Sequence, residues 1–229
     1  MRGLILAAGR GSRMGDLTKE RPKCLLHVLG KPLIEHQLSA LKEAGITDVC
    51  IVTGYQAPYL EGYGTCRTYN PRWAETNMVY SMLCAASWLE KDDCVISYGD
   101  IFYDTRLVRD LIPSTPLVSI TYDPNWLSLW RKRFADPLED AETFVLSPQN
   151  TLQDIGQKPH SLEEIQGQYM GLLLFKKEFW KQAPLPDNDN LFMTDFLRHI
   201  LKITPIGCIP NLYPWGEIDC ASDLQIYRE

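Results

Sequence analysis

The chain alternates between short apolar runs and stretches where apolar residues recur every three or four positions. Leu4-Ile5-Leu6 (within residues 2–6), Val49-Cys50-Ile51-Val52 and Cys94-Val95-Ile96-Ser97-Tyr98 are runs of strand length bounded by glycine or polar residues. Runs of this kind suit strands covered on both faces, as in a parallel sheet. Between the first two, Pro32 to Ala44 puts Leu33, Ile34, Gln37, Leu38 and Leu41 on one helical face, closed by Gly45. Strand, helix and strand in that order predict a right-handed parallel crossover.

Further along, Asn77–Leu89 predicts one helix with Met78, Ser81, Met82, Ala85 and Ala86 inward. Leu117–Thr121 and Tyr169–Phe175 predict strands, and Thr143–Ile155 a hairpin turning at Pro148-Gln149-Asn150. Helices are expected from Trp180 onward and over Met193–Leu201. A late strand at Ile206–Ile209 and a C-terminal helix after Glu217-Ile218-Asp219 complete the pattern. Thr68–Asn70 is short and ambiguous. Residues 123–142 are charged and aromatic and look like an inserted active-site segment. The whole predicts an α/β protein: three layers, α/β/α, around a mixed central sheet with inserted β elements. One domain over residues 1–229 is expected, with an insertion at about 122–175.

Composition narrows the partners. A net charge of −6 gives no support to a nucleic-acid-binding or anionic-membrane-binding surface. It leaves room for a local basic cluster, which Arg10, Arg13, Arg21 and Lys23 provide. Seven cysteines without a Cys-x-x-Cys pair predict reduced thiols and a cytoplasmic location, with Cys24 and Cys50 in the core. Neither a signal peptide nor a membrane span is evident.

The most informative string follows the first strand: Leu6-Ala7-Ala8-Gly9-Arg10-Gly11-Ser12-Arg13-Met14. Small residues let backbone N–H groups approach phosphate oxygens, and the nearby cations neutralise charge. The spacing fits neither a Walker loop nor the dinucleotide fingerprint, whose third glycine is replaced by Met14. Ligands in open α/β sheets bind beyond the carboxyl ends of the strands. Gly54-Tyr55 and Gly99-Asp100 occupy such ends. An acidic residue beside a polyphosphate is a natural Mg²⁺ ligand, although Asp100 alone could be a cap. Extended alternation puts Glu217 and Asp219 on one side, as metal ligands or as a solvated edge.

The N-terminal string, with Arg21-Pro22-Lys23-Cys24-Leu25 and Gly30-Lys31-Pro32-Leu33-Ile34, resembles the sugar-phosphate and alkyl-phosphate nucleotidylyltransferase superfamily, of Rossmann-like nucleotidyltransferase fold. Asn70-Pro71-Arg72-Trp73-Ala74-Glu75-Thr76-Asn77 with Tyr80-Ser81 is similar to its small cytidylyltransferases, which act on phosphocholine, aminoalkylphosphonates or phosphoglutamine. So are the segments 122–142 and Gly167–Gly171. The resemblance implies Mg²⁺-dependent transfer of CMP from CTP to a small phosphate or phosphonate, releasing pyrophosphate. It implies catalytic roles for Lys23 and Arg13, and metal binding by Asp100 and Asp219. Leu6, Ala7, Ala8, Gly9, Gly11, Ser12, Gln56, Thr76 and Asn77 are the expected nucleotide contacts, Thr76 being equally an N-cap.

Expected acceptor contacts are Trp126, Trp130, Arg131, Arg133, Tyr169 and Glu217. Trp126 and Tyr169 would face an ammonium, Arg131 and Arg133 a phosphoryl group, and Glu217 a cationic substrate group. Packing explains the tryptophans, and a solvated face the arginines, equally well. Two other readings stand beside this one: a sugar-1-phosphate nucleotidylyltransferase of the same fold, and a non-catalytic nucleotide sensor. A homodimer is compatible with the sequence.

Overall fold

A computed structural model describes residues 1–182 and 189–227. Its strands are β1 (Arg2–Ala7), β2 (His27–Val28), β3 (Lys31–Pro32), β4 (Val49–Thr53), β5 (Cys66–Tyr69), β6 (Cys94–Tyr98) and β7 (Ile101–Tyr103). They continue with β8 (Val118–Asp123), β9 (Phe144–Leu146), β10 (Leu152–Ile155), β11 (Gln168–Phe175), β12 (Ile206–Pro210) and β13 (Trp215–Glu217). The first helices are α1 (Leu33–Glu43), α2 (Met78–Leu83), α3 (Ala86–Leu89) and α4 (Thr105–Leu111). Then come α5 (Trp126–Arg133), α6 (Lys177–Gln182), α7 (Met193–Ile200) and α8 (Asp223–Ile226).

Seven strands form one sheet in the order β12-β8-β11-β6-β1-β4-β5. Only β11 runs antiparallel to its neighbours, β6 and β8; the other pairings are parallel. Strand pleating explains the apolar runs. In β1, Leu4 and Leu6 face one core while Ile5 and Ala7 face the other. Val79, Met82, Phe179 and Phe196 from α2, α6 and α7 cover the first face. Ile34, Leu41, Leu107 and Val108 from α1 and α4 cover the second. The expected three-layer mixed-sheet architecture is therefore present.

Several elements differ from expectation. The helix over Asn77–Leu89 breaks into α2 and α3. The Cys84 carbonyl accepts from Thr68 Oγ1 at 3.0 Å, and Trp88 N donates to Ala85 O instead of continuing the ladder. Thr68 itself belongs to β5, the edge strand. Within the 122–175 span, β11 is a central strand of the sheet, and β9 and β10 form a separate antiparallel hairpin. Trp180 lies in α6, and the helical expectation beyond it falls partly outside the described residues. The small pairs β2–β3 and β7–β13, and α4, were not among the expected elements. No helix among the described residues is long and apolar enough to cross a membrane.

Trp126 and Trp130 correct the expectation that they face a substrate. Both rings are buried at 4% exposure, edge to face at 5.9 Å, in a small cluster with Ala141 and Ile165. They fasten α5 to the loop that follows it.

The same helix ends in Arg133, whose side chain is fully buried. Its guanidinium meets Asp223 at 3.2 Å and so ties the C-terminal segment to the body. Asp223 also accepts from Asp219 N at 2.7 Å and Cys220 N at 3.0 Å. Burial pushes the Asp223 carboxyl up, but these N–H donors and Arg133 outweigh it and hold the pKa below the ordinary carboxylate value.

Two expectations follow. Trp126→Ala lowers stability by about 3–5 kcal/mol through a core cavity, read by denaturant unfolding, and leaves ligand affinity at the cleft within twofold. Asp223→Ala costs about 1–3 kcal/mol at neutral pH by removing one of the three carboxylates around Arg133 and the acceptor of two backbone N–H groups. Because the folded pKa is depressed, that stabilisation is present above the unfolded carboxylate pKa and is lost as pH falls through the folded one. The gap between wild-type and variant midpoints should therefore close in acid; a gap independent of pH would contradict the assignment.

Candidate active site

A cleft of about 300 Å³ opens at the carboxyl ends of β1 and β6. Gly99 is forced where the chain leaves β6, because a Cβ there would stand 2.6 Å from the Leu6 carbonyl. That close approach sets Asp100 beside the β1 loop. Asp100 is then joined by the C-terminal segment through the antiparallel pairing of β7 with β13. Glu217 is in register with Ile101, and Ile218 N donates to Asp100 O at 2.9 Å. Trp215 Nε1 anchors β13 by donating to Asp123 Oδ2 at 2.8 Å. Ile218 turns into a buried apolar cluster, so its neighbours Glu217 and Asp219 share the opposite side.

Asp100, Glu217 and Asp219 thus come together, each with a ligand oxygen within 4.8 Å of the others. Three cations balance them. Lys23 Nζ donates to Asp100 Oδ2 and Asp219 Oδ1, both at 2.8 Å. Its stem crosses Gly11, which sits at φ 69° and where a Cβ would come within 2.8 Å of Lys23 Cδ. Glycine at that position is required both by the left-handed backbone and by the lysine. Arg13 Nη2 donates to Asp219 Oδ1 at 2.9 Å from a largely exposed side chain. Arg133 meets Glu217 at 2.7 Å and Asp219 at 3.5 Å, with its guanidinium over the rings of Trp130 and Phe134.

Burial opposes charge on Lys23, but Asp100 and Asp219 outweigh it and keep the ammonium protonated well beyond the ordinary range. Burial likewise raises the Asp219 carboxyl, and Lys23 and Arg13 more than reverse that. Glu217 goes the other way. Burial, with Asp219 beside it, pushes its pKa up despite Arg133.

Of the expected nucleotide contacts, Leu6, Ala7, Ala8, Gly9, Gly11, Ser12, Thr76 and Asn77 line the cleft. Arg13, Lys23, Asp100 and Asp219 line it as well. Gln56 does not; it sits outside, at φ 50°. Among the expected acceptor contacts, Arg133 is corrected: its buried guanidinium is spent on carboxylates and is not open to a phosphoryl group. Arg131 is exposed on α5, away from the cleft lining. Tyr169 stands edge to face with Tyr98 at 5.7 Å. Glu217 belongs to the carboxylate group but is not among the residues that line the cleft.

Trp73, Met78, Ser81 and Gly99 also line the cleft and were not singled out as contacts. Their signal was faint: Trp73 and Ser81 lie in motifs quoted for the resemblance, with nothing in their spacing to show which way they face.

The donor set fits a hard divalent cation. All three ligands are carboxylates, and Asp100 Oδ1 is buried without a hydrogen-bond partner. Small-residue loop, cations and carboxylates together form a surface suited to a polyphosphate and its counter-ion.

Comparison with known proteins agrees. A profile of the MobA-like NTP transferase domain matches residues 3–154. The CTP:phosphoglutamine cytidylyltransferase of Campylobacter jejuni is 36% identical, the alignment covering all of both chains. The choline-phosphate cytidylyltransferase of Streptococcus pneumoniae is 42% identical over 119 residues, about half of each chain (50% and 52%). Among solved structures, a putative glucose-1-phosphate thymidylyltransferase from Bacillus anthracis superposes with a TM-score of 0.80 at 21% identity. It covers 99% of this chain and 93% of that one. The CTP:phosphocholine cytidylyltransferase of Streptococcus pneumoniae gives 0.73 at 22% identity, covering 98% and 96%. At those identities the structural likeness speaks for the fold. The sequence matches go further: the chain belongs to the MobA-like NTP transferase family and is a nucleotidyltransferase.

Proposed function

We propose that this enzyme is a Mg²⁺-dependent cytidylyltransferase that joins CMP, taken from CTP, to phosphoglutamine or a closely similar small phosphorylated acceptor. The observation that carries the reading is the convergence of Lys23, Arg13, Asp100 and Asp219 at one strand-end cleft. The acceptor class rests on the full-length match to a phosphoglutamine enzyme, since the choline-phosphate match spans half the chain.

An acceptor phosphoryl oxygen, already anionic, attacks the α-phosphorus of CTP. The bond from that phosphorus to the β-bridging oxygen breaks, and pyrophosphate leaves with the electron pair. No general base is required. Asp100 and Asp219, with Glu217 beside them, would hold Mg²⁺, which supplies charge neutralisation at the phosphates when bound. The Lys23 ammonium brings a fixed positive charge to the reacting phosphate, and its buried surroundings strengthen that interaction. Arg13 is placed to grip the leaving group. The loop from Ala7 to Ser12 offers backbone N–H groups to the phosphates and holds them in line for displacement. Arg133 touches no substrate here; it keeps Glu217 and Asp219 in place.

Lys23→Ala and Asp100→Ala should each lower kcat by at least about a thousandfold while unfolding remains cooperative; near-normal turnover in either would refute its role. EDTA should stop pyrophosphate release and Mg²⁺ restore it. Incubation of CTP, UTP, ATP and GTP with phosphoglutamine, phosphocholine, 2-aminoethylphosphonate and sugar 1-phosphates decides the substrate pair. Release confined to CTP with phosphoglutamine is expected. Preference for a sugar 1-phosphate would favour the sugar-nucleotide alternative. No release from any pair would favour the sensor.

A further inference from the structure

Asn70 lies just past β5, fully buried, and outside the cleft lining. Its backbone N–H reaches Thr53 O at 2.8 Å, at the end of β4. Its side chain is the hub of the segment that follows. Arg72 N donates to Asn70 Oδ1 at 2.8 Å. A backbone N–H can only donate, so the amide has one orientation, with the oxygen toward Arg72. Nδ2 must then face the two hydroxyls on its other side: it donates to Thr76 Oγ1 at 3.1 Å and to Ser81 Oγ at 2.9 Å.

Proton accounting follows. Both hydroxyls accept from Asn70. Thr76 spends its own proton on Arg72 O at 2.8 Å. Ser81 Oγ donates to no acceptor among the described residues, although the residue is only 6% exposed and lines the cleft. A nearly buried hydroxyl with an unspent proton costs free energy until a partner arrives.

We propose that Asn70 is a positioning residue that fixes the nucleoside side of the cleft, leaving the Ser81 hydroxyl proton to be donated to an oxygen or ring nitrogen of the bound nucleoside. This rests on the reading of the cleft as a nucleotide site. The segment hung on Asn70 carries Trp73, Thr76, Asn77 and Met78 as well as Ser81, all on the cleft wall. The cations Lys23 and Arg13 belong to the phosphate side, so the hub and the charges divide the nucleotide between them.

The test is calorimetric binding of CTP with Mg²⁺ and no acceptor, with pyrophosphate as a second ligand. Ser81→Ala should weaken CTP by about tenfold, the scale of one hydrogen bond, and leave pyrophosphate affinity unchanged. Asn70→Asp is the discriminating variant. Its carboxylate still accepts from Arg72 N but can donate to neither hydroxyl, so it loses the bond to Thr76 and draws the Ser81 proton to itself. CTP should weaken as in Ser81→Ala, and the double variant should be no weaker than either single one. Wild-type affinity for CTP in Ser81→Ala or Asn70→Asp, or additive losses in the double variant, would overturn the inference. Absence of CTP binding by the wild-type enzyme would overturn the nucleotide reading itself, which keeps the two failures apart.

Discussion

Three carboxylates held within 4.8 Å of one another are the constraint around which this molecule is organised. Left alone, like charges at that spacing repel strongly in a partly buried setting. Lys23, Arg13 and Arg133 make the arrangement stable, and each comes from a different part of the chain. Lys23 does so from the turn after the phosphate loop, Arg133 from the end of a helix pinned by two buried tryptophans. The β7–β13 pairing is equally necessary, since it carries Glu217 and Asp219 to Asp100. Remove any one of these and the remaining charges lose their compensation.

The balance also explains the chemistry available. A site whose carboxylates are already neutralised by lysine and arginine is preorganised: its charges stay fixed as substrates enter. Lys23 is the most constrained of the three, held by two aspartates and wedged across a glycine that admits no side chain. Arg13 is the most exposed of the three and meets Asp219 from the solvent side. Arg133 is fully enclosed and cannot follow a substrate at all. The lysine and the two arginines therefore differ chiefly in burial.

The cleft wall from Trp73 to Ser81 is held in a different way. There, hydrogen bonds from buried Asn70 hold Arg72, Thr76 and Ser81, and a kink separates α2 from α3. Thr68 has a part in both, because the edge strand that ends just before Asn70 also takes the carbonyl that would have continued the helix.

Sequence alone determined the layered α/β architecture, because the apolar runs of β1, β4 and β6 and the amphipathic period of α1 are local patterns with one natural burial. It also singled out the loop after β1 as part of a strand-end cleft, since small residues beside arginines need no tertiary context to be read. It marked Asp100 and Asp219 as a pair only through resemblance. Their meeting depends on the β7–β13 pairing, two three-residue strands too short to leave a periodicity. Whether Trp126, Trp130 and Arg133 faced a substrate or a core was undecidable from spacing, because an aromatic and basic stretch on a short helix has the same pattern either way. Only the packing of α5 against the 137–165 region and the C-terminal segment resolved it. The direction of Asn70 and Ser81 was likewise a tertiary matter: which hydroxyl keeps its proton depends on neighbours brought in by the fold, and a hydrogen-bond orientation leaves no trace in sequence order.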